Sequence, residues 1–209
     1  MRQLPNNEVI DTLVHFTPTK QGRKWITSTT LKHGGLHSIK EFKNGVEMLE
    51  HCAHHFRNPR LFHVCLTGAS LDTYKLVLKR LCRSLAAAGV EYRYKAALEE
   101  DSIKGLHFHV MLVLGTDQQT SRFVTHADES GKLENESLLR KVIRHTWSEC
   151  PALAYKVNPP RSNGGKVSFL QFNQSNQAFF DEAVDWLSYI YKARSKPASG
   201  SVYFSDRQG

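Results

Sequence analysis

The chain has 209 residues, 40% of them hydrophobic and 23% charged, the balance of a globular domain and not of a disordered segment or a membrane protein. No apolar run reaches the roughly 18 residues of a membrane span. The start, Met1-Arg2-Gln3-Leu4-Pro5-Asn6-Asn7-Glu8, lacks the apolar stretch of a secretion signal, so a cytoplasmic protein with no membrane partner is expected. A formal charge of +8 and a pI near 9.4 favour a polyanionic partner, nucleic acid first, while four scattered cysteines with no Cys-x-x-Cys pair argue against a disulfide framework or a four-cysteine zinc site.

Residues 1–37 show no sustained period and read as an extension with one short strand at Trp25–Leu31. Ser38, with Glu41 three positions on, predicts a capped helix whose apolar positions Ile39, Phe42, Val46, Leu49 and Ala53 recur at helical spacing to about Phe56. Leu61–Thr67 alternates as a strand, with Phe62, Val64 and Leu66 on one face and His63, Cys65 and Thr67 on the other. Asp72 can cap a helix reaching about Ala88, stopped by Gly89. Glu91–Glu99 and Leu106–Leu114 are strands joined by a turn over Asp101–Gly105, and a polar loop follows to about Leu133. Glu136–Cys150 reads as a helix ended by Pro151, Asn158–Gly165 as a loop and Lys166–Phe172 as a fourth strand. A last helix runs from about Gln177 to Ala193, before a basic tail with a short strand at Val202–Phe204.

The order from residue 60 is therefore βαββαβα. Two strands joined by a five-residue turn must be antiparallel, so the expected class is α+β, a sandwich of helices on a central antiparallel sheet. Residues 1–58 form an N-terminal extension with one helix, and residues 59–209 the main domain.

His107 and His109, one residue apart in a strand, point to the same face, while Phe108, Val110, Leu112 and Leu114 point to the other. Neutral imidazole is the commonest protein ligand for divalent metals. A turn centred on Ile103 sets Glu99 opposite His107, with Cβ atoms about 4.5–5.5 Å apart on a shared face. A slip of one residue would bring Glu100 there instead. Two histidines and a carboxylate leave coordination positions open for substrate oxygens and suit Mn²⁺ or Mg²⁺, with Zn²⁺ also able to bind. The competing reading is a pair of solvent-facing histidines with no metal. His51, His54 and His55 beside Cys52 read as surface histidines of an amphipathic helix, because no second zinc half-site matches them.

In the last helix Phe180, Ala183, Leu187 and Ile190 form the buried stripe. Tyr189 and Lys192, three apart, share a face, whereas Tyr191 lies about 200° round from Tyr189. A phenol is a poor nucleophile at neutral pH unless a cation favours the phenolate, which Lys192 and a metal-bound phosphate would do. Taken alone, without the His-x-His strand, Tyr189 reads as an ordinary interface residue of an amphipathic helix.

Together these parts resemble the HUH endonuclease superfamily, in which a His-hydrophobe-His strand holds a metal and a later helix carries Tyr-x-x-Lys. Here those are His107-Phe108-His109 and Tyr189-Ile190-Tyr191-Lys192, and Phe62-His63-Val64-Cys65-Leu66-Thr67 is similar to the superfamily's first motif. Within it the chain is most similar to replication initiators of filamentous phages (inoviruses) and of bacterial prophages. The residues are Leu98-Glu99, the two histidines, Ser188-Tyr189-Ile190-Tyr191-Lys192 and a tail Phe204-Ser205-Asp206-Arg207. Phe108 stands where tyrosine is usual, and Asp206 separates the Ser and Arg that adjoin in that group.

The resemblance implies a ferredoxin-like or RRM-like fold and a metal on Glu99, His107 and His109. It implies that Tyr189 attacks a phosphate of single-stranded DNA, leaving a 5′-phosphotyrosine and a free 3′-OH, with Lys192 beside the phosphate. Arg93 and Lys95 share the parity of Glu99 and are expected to meet DNA phosphates across the polar sheet face. The implied role is initiation of rolling-circle replication at a single-stranded origin or hairpin, in the cytoplasm of a bacterial host, with host helicase and polymerase as further partners and no small-molecule cofactor. Relaxases and single-tyrosine transposases share this chemistry. A binding-only module is the alternative of another class, but it would carry stacking aromatics where this chain has histidines, glutamate and cations.

Overall fold

The computed structural model describes residues 36, 38–115, 138–147, 149–160, 168–173, 175–192, 196–197 and 200–206. Helix α1 (Ile39–His55) starts as its sequence predicts: the Ser38 hydroxyl accepts from the Glu41 N–H at 3.3 Å. It ends before Asn58, whose φ of 49° turns the chain into β1 (Pro59–Thr67). Helix α2 (Leu71–Ala87) is capped by Ser70, which accepts from the Thr73 N–H, and not by Asp72 as the sequence suggested. Asp72 is the second residue of the helix, where its charge faces the positive end of the helix dipole.

Strands β2 (Glu91–Asp101) and β3 (Gly105–Gly115) form the long hairpin. Its turn is tied by Asp101 Oδ1, which accepts from the N–H groups of Ile103 and Lys104 at 2.9 and 2.6 Å. Then come α3 (Leu138–Trp147), β4 (Ala154–Asn158), β5 (Leu170–Gln171), α4 (Gln177–Ser188) and β6 (Tyr203–Ser205). The sheet is antiparallel, in the order β4-β1-β3-β2-β6, with β5 also pairing β1.

Three further expectations need correction. The expected strand over 166–172 is described only as the two residues of β5, and residues 161–167 lie outside the described part. The strand that extends the sheet beyond β1 is β4, where the sequence predicts no strand and Asn158 is expected in a loop. The last helix ends at Ser188 instead of Ala193: a 3₁₀ turn follows over Tyr189–Tyr191, and Lys192 is extended (ψ 142°). The strand expected at Trp25–Leu31 and the loop after Gly115 lie outside the described residues.

Helices cover both faces of the sheet. On one, Phe62, Val64, Leu66, Phe108, Val110 and Leu112 are buried beneath α2 and α3. On the other, Leu61, Ala97, Met111 and Val113 are buried beneath α1 and α4. Each such Leu or Phe contributes about 1.5–3 kcal/mol of apolar burial. The histidine-bearing face is therefore not an open polar surface: Met111 and Val113 continue the parity of His109 as apolar residues, and α1 seals that end. Gly45 is required where α1 meets the chain after α4, because a Cβ there would stand 2.6 Å from the Tyr191 hydroxyl oxygen. Among the described residues no helix is long and apolar enough to cross a membrane.

Candidate metal and nucleophile site

The hairpin settles which glutamate faces the histidines. Glu99 pairs with His107 and Ala97 with His109, so strand parity sends Glu99 inward, where it is fully buried, and leaves Glu100 exposed. Glu99 Oε2 lies 3.4 Å from His107 Nε2 and 3.5 Å from His109 Nε2. The three candidate ligand atoms lie within 4.8 Å of one another.

The outer nitrogens of both rings are already engaged. His107 Nδ1 lies 3.0 Å from the Gly105 carbonyl, which can only accept, so Nδ1 carries the proton and Nε2 presents a lone pair. His109 Nδ1 lies 2.9 Å from His63 Nε2, while His109 Nε2 is buried with no hydrogen-bond partner among the described residues. A buried imidazole nitrogen facing a carboxylate at 3.5 Å, too long for a good hydrogen bond, fits a cation seated between them. The residues present therefore suit a divalent metal, with Glu99 as its oxygen ligand and the two Nε2 atoms as its nitrogen ligands.

Burial alone would raise the Glu99 carboxyl, but the facing His107 and His109 rings and the Lys196 ammonium outweigh it and hold the group far below the usual carboxylate range. Burial likewise works against a charged His107, yet Glu99 and the Gly105 carbonyl prevail and raise its pKa. For His109 and His63 burial dominates and lowers the pKa, so both rings stay neutral.

The 3₁₀ turn that follows α4 brings the phenol ring against this cluster. The Tyr189 ring centroid is 5.2 Å from that of His109 and 5.3 Å from that of His63, and Lys192 Nζ lies 3.8 Å from the Tyr189 ring centre. Lys192 Nζ is also 2.9 Å from Glu99 Oε2. A cavity of about 540 Å³ opens beside Tyr189, lined among others by His63, His109, Trp186, Lys104 and Lys156. Tyr191 points away: it is buried against Phe42 and Tyr203.

Glu99, His107, His109, Tyr189 and Lys192 thus come together. Arg93 and Lys95 do not join them. At about 3.4 Å per residue they lie roughly 20 and 14 Å up the strand from Glu99, and Arg93 forms an ion pair with Asp206 at 3.0 Å. Arg207 lies outside the described residues. His51, His54 and His55 are exposed, as the helical spacing predicts. Two contributors were not foreseen. His63 shares the histidine face by strand alternation, a signal that was legible. Lys196 is 97 positions from Glu99 and follows a break in the last helix, so nothing in its surroundings marked it.

Comparison of the chain with family models, with curated proteins and with solved structures returns no match.

Proposed function

We propose that this protein is a divalent-metal-dependent endonuclease of HUH type that nicks and rejoins single-stranded DNA, with Tyr189 as nucleophile. The observation that carries this reading is the contact of the Tyr189 ring with His109, one of three converging metal-ligand candidates. The strand order β4-β1-β3-β2, with α2 and α3 on one face, supports a ferredoxin-like βαββαβα frame for it.

A bound Mn²⁺ or Mg²⁺ would polarise the scissile phosphate. Tyr189 Oη then attacks phosphorus, the bond to the 3′ oxygen breaks, and the phenolic proton is balanced by the one the 3′-OH gains. The products are a 5′-phosphotyrosine and a free 3′-OH. Lys192 neutralises charge on the phosphate as the bond forms. Because the covalent link keeps the phosphodiester energy, the same residues can reverse the step and join ends. DNA would reach Tyr189 through the cavity, whose Lys104 and Lys156 suit phosphates and whose Trp186 suits a base. Rolling-circle initiation for a phage or mobile element is the role this chemistry would serve.

The test is a labelled single-stranded origin pool incubated with the protein and Mn²⁺, followed by a denaturing gel. A protein–DNA adduct is expected, abolished by Tyr189→Phe and retained by Tyr191→Phe. An adduct that survives Tyr189→Phe refutes the assignment of the nucleophile, and the absence of any adduct with the parent chain refutes the function.

A further inference from the structure

The two oxygens of Glu99 are held by two different lysines. Oε1 accepts from Lys196 Nζ at 2.9 Å, and the same ammonium donates to the Ile190 carbonyl at 2.7 Å. The Lys196 side chain is fully buried. Oε2 faces His107 Nε2, His109 Nε2 and Lys192 Nζ together, at 3.4, 3.5 and 2.9 Å. A cation held by Oε2 and both imidazoles must enter the space beside that oxygen, where the Lys192 ammonium now sits.

Lys192 differs from Lys196 in what restrains it. It follows the 3₁₀ turn in extended conformation, and its ammonium already lies against the Tyr189 ring. A flexible four-carbon stem lets it swing toward a phosphate at Tyr189 without moving the backbone.

We propose that the two lysines have opposite duties at Glu99. Lys196 is a fixed clamp on Oε1 that turns Oε2 toward the histidines. Lys192 is an exchangeable counter-ion on Oε2, which yields its place to the divalent cation and moves to the substrate phosphate beside Tyr189. This inference rests on the metal reading given under Proposed function. It explains how so buried a carboxylate is tolerated before metal binds, since an unpaired buried charge is strongly destabilising. It also couples loading to activity, because Lys192 is withheld from the phosphate until the cation has displaced it.

Calorimetric titration of the full chain with MnCl₂ tests this without any turnover. Removing the competing ammonium in Lys192→Met is expected to tighten Mn²⁺ binding by about fivefold or more, since the repulsion of even two unit charges at 4 Å in a water-like medium amounts to that factor and Mn²⁺ carries twice the charge. Lys196→Met is expected to weaken it by about 10–100-fold, as loss of a residue that orients a ligand does. Deleting positive charge would by itself tighten binding in both variants, so the opposite signs are diagnostic. Lys196→Arg, which keeps the charge and the donors, is expected to stay closer to the parent than Lys196→Met. Exchange is overturned if Lys192→Met binds no tighter than the parent. The clamp is overturned if Lys196→Met also tightens binding, or if Lys196→Arg falls as far as Lys196→Met. A parent chain that takes up no Mn²⁺ overturns the metal reading itself, a result distinct from both.

Discussion

Glu99 stands directly opposite His107 across the β2–β3 hairpin, and its Oε2 lies 3.4 Å from the Nε2 of that histidine. One pairing thus brings a carboxylate from one strand to an imidazole on the next, and His109 completes the set because it shares the face of His107. Mn²⁺ should raise the melting temperature of the parent chain, since a ligand that binds only the folded state stabilises it. His107→Ala should remove that rise and weaken Mn²⁺ binding by about 100-fold or more, beyond the usual loss for an orienting residue. Glu99→Gln should do the same and also lower the melting temperature without metal, because Lys192 and Lys196 would then be buried beside a neutral amide. Equal Mn²⁺-dependent shifts in the parent and His107→Ala would remove the metal centre from consideration.

His63 touches none of the candidate ligand atoms that face Glu99, yet it sets the direction of His109. Its Nε2 lies 2.9 Å from His109 Nδ1, which leaves His109 Nε2 turned inward. His63→Ala is expected to weaken Mn²⁺ binding by about 10–100-fold while far-ultraviolet circular dichroism stays that of the parent. An unchanged affinity would mean that packing alone orients His109.

Mn²⁺ affinity should fall in acid. A metal ligand must be deprotonated, and the His107 pKa is raised by Glu99 and Gly105 against the effect of burial. Protonation therefore begins to compete above the ordinary imidazole value, with log Kd rising by up to about one per pH unit below it. Glu99, held far below the carboxylate range, adds nothing to that slope near neutrality. The stability of the metal-free fold should move the opposite way. A group whose folded pKa is raised contributes stability that is complete below its unfolded value and lost as pH rises through the folded one. Affinities that are flat between about pH 6 and 8, across the ordinary imidazole value, would contradict the assignment of His107 as a ligand.

How far the sequence could carry these conclusions follows from the range of each interaction. The Glu99–His107 register was legible because a five-residue turn and strand parity determine it locally. The Ser38 cap and the buried stripe of α4 were legible for the same reason. Strand β4 was not: five residues between Pro151 and Pro159 give too short a run to register as an alternation, and only pairing with β1 makes Ala154–Asn158 a strand. The covering of the histidine face was not legible because the parity of Met111 and Val113 says which face they share with His107 and His109 but not that α1 and α4 pack on it. The clamp from Lys196 depends on a contact across 97 positions, which no local pattern encodes.

Tyr191 is the tyrosine from which the nucleophile must be distinguished. Tyr191 is buried, and its hydroxyl has no hydrogen-bond partner among the described residues. An unsatisfied buried hydroxyl costs about 1–3 kcal/mol, so Tyr191→Phe should leave stability unchanged or raise it, with the adduct yield of the parent. Gly45→Ala should cost about 1–3 kcal/mol, because its methyl would meet that same hydroxyl at 2.6 Å and Leu187 Cδ2 at 3.0 Å. Combining the two changes removes the nearer obstacle, so the double variant should recover part of the loss, and the shortfall reports the Leu187 contact. Urea denaturation of the four forms measures the coupling. Strict additivity would mean that α1 and the Tyr189–Tyr191 turn do not press on one another at Gly45. A Tyr191→Phe chain that folds normally but forms no adduct would instead make Tyr191 part of the chemistry, which its burial beneath α1 argues against.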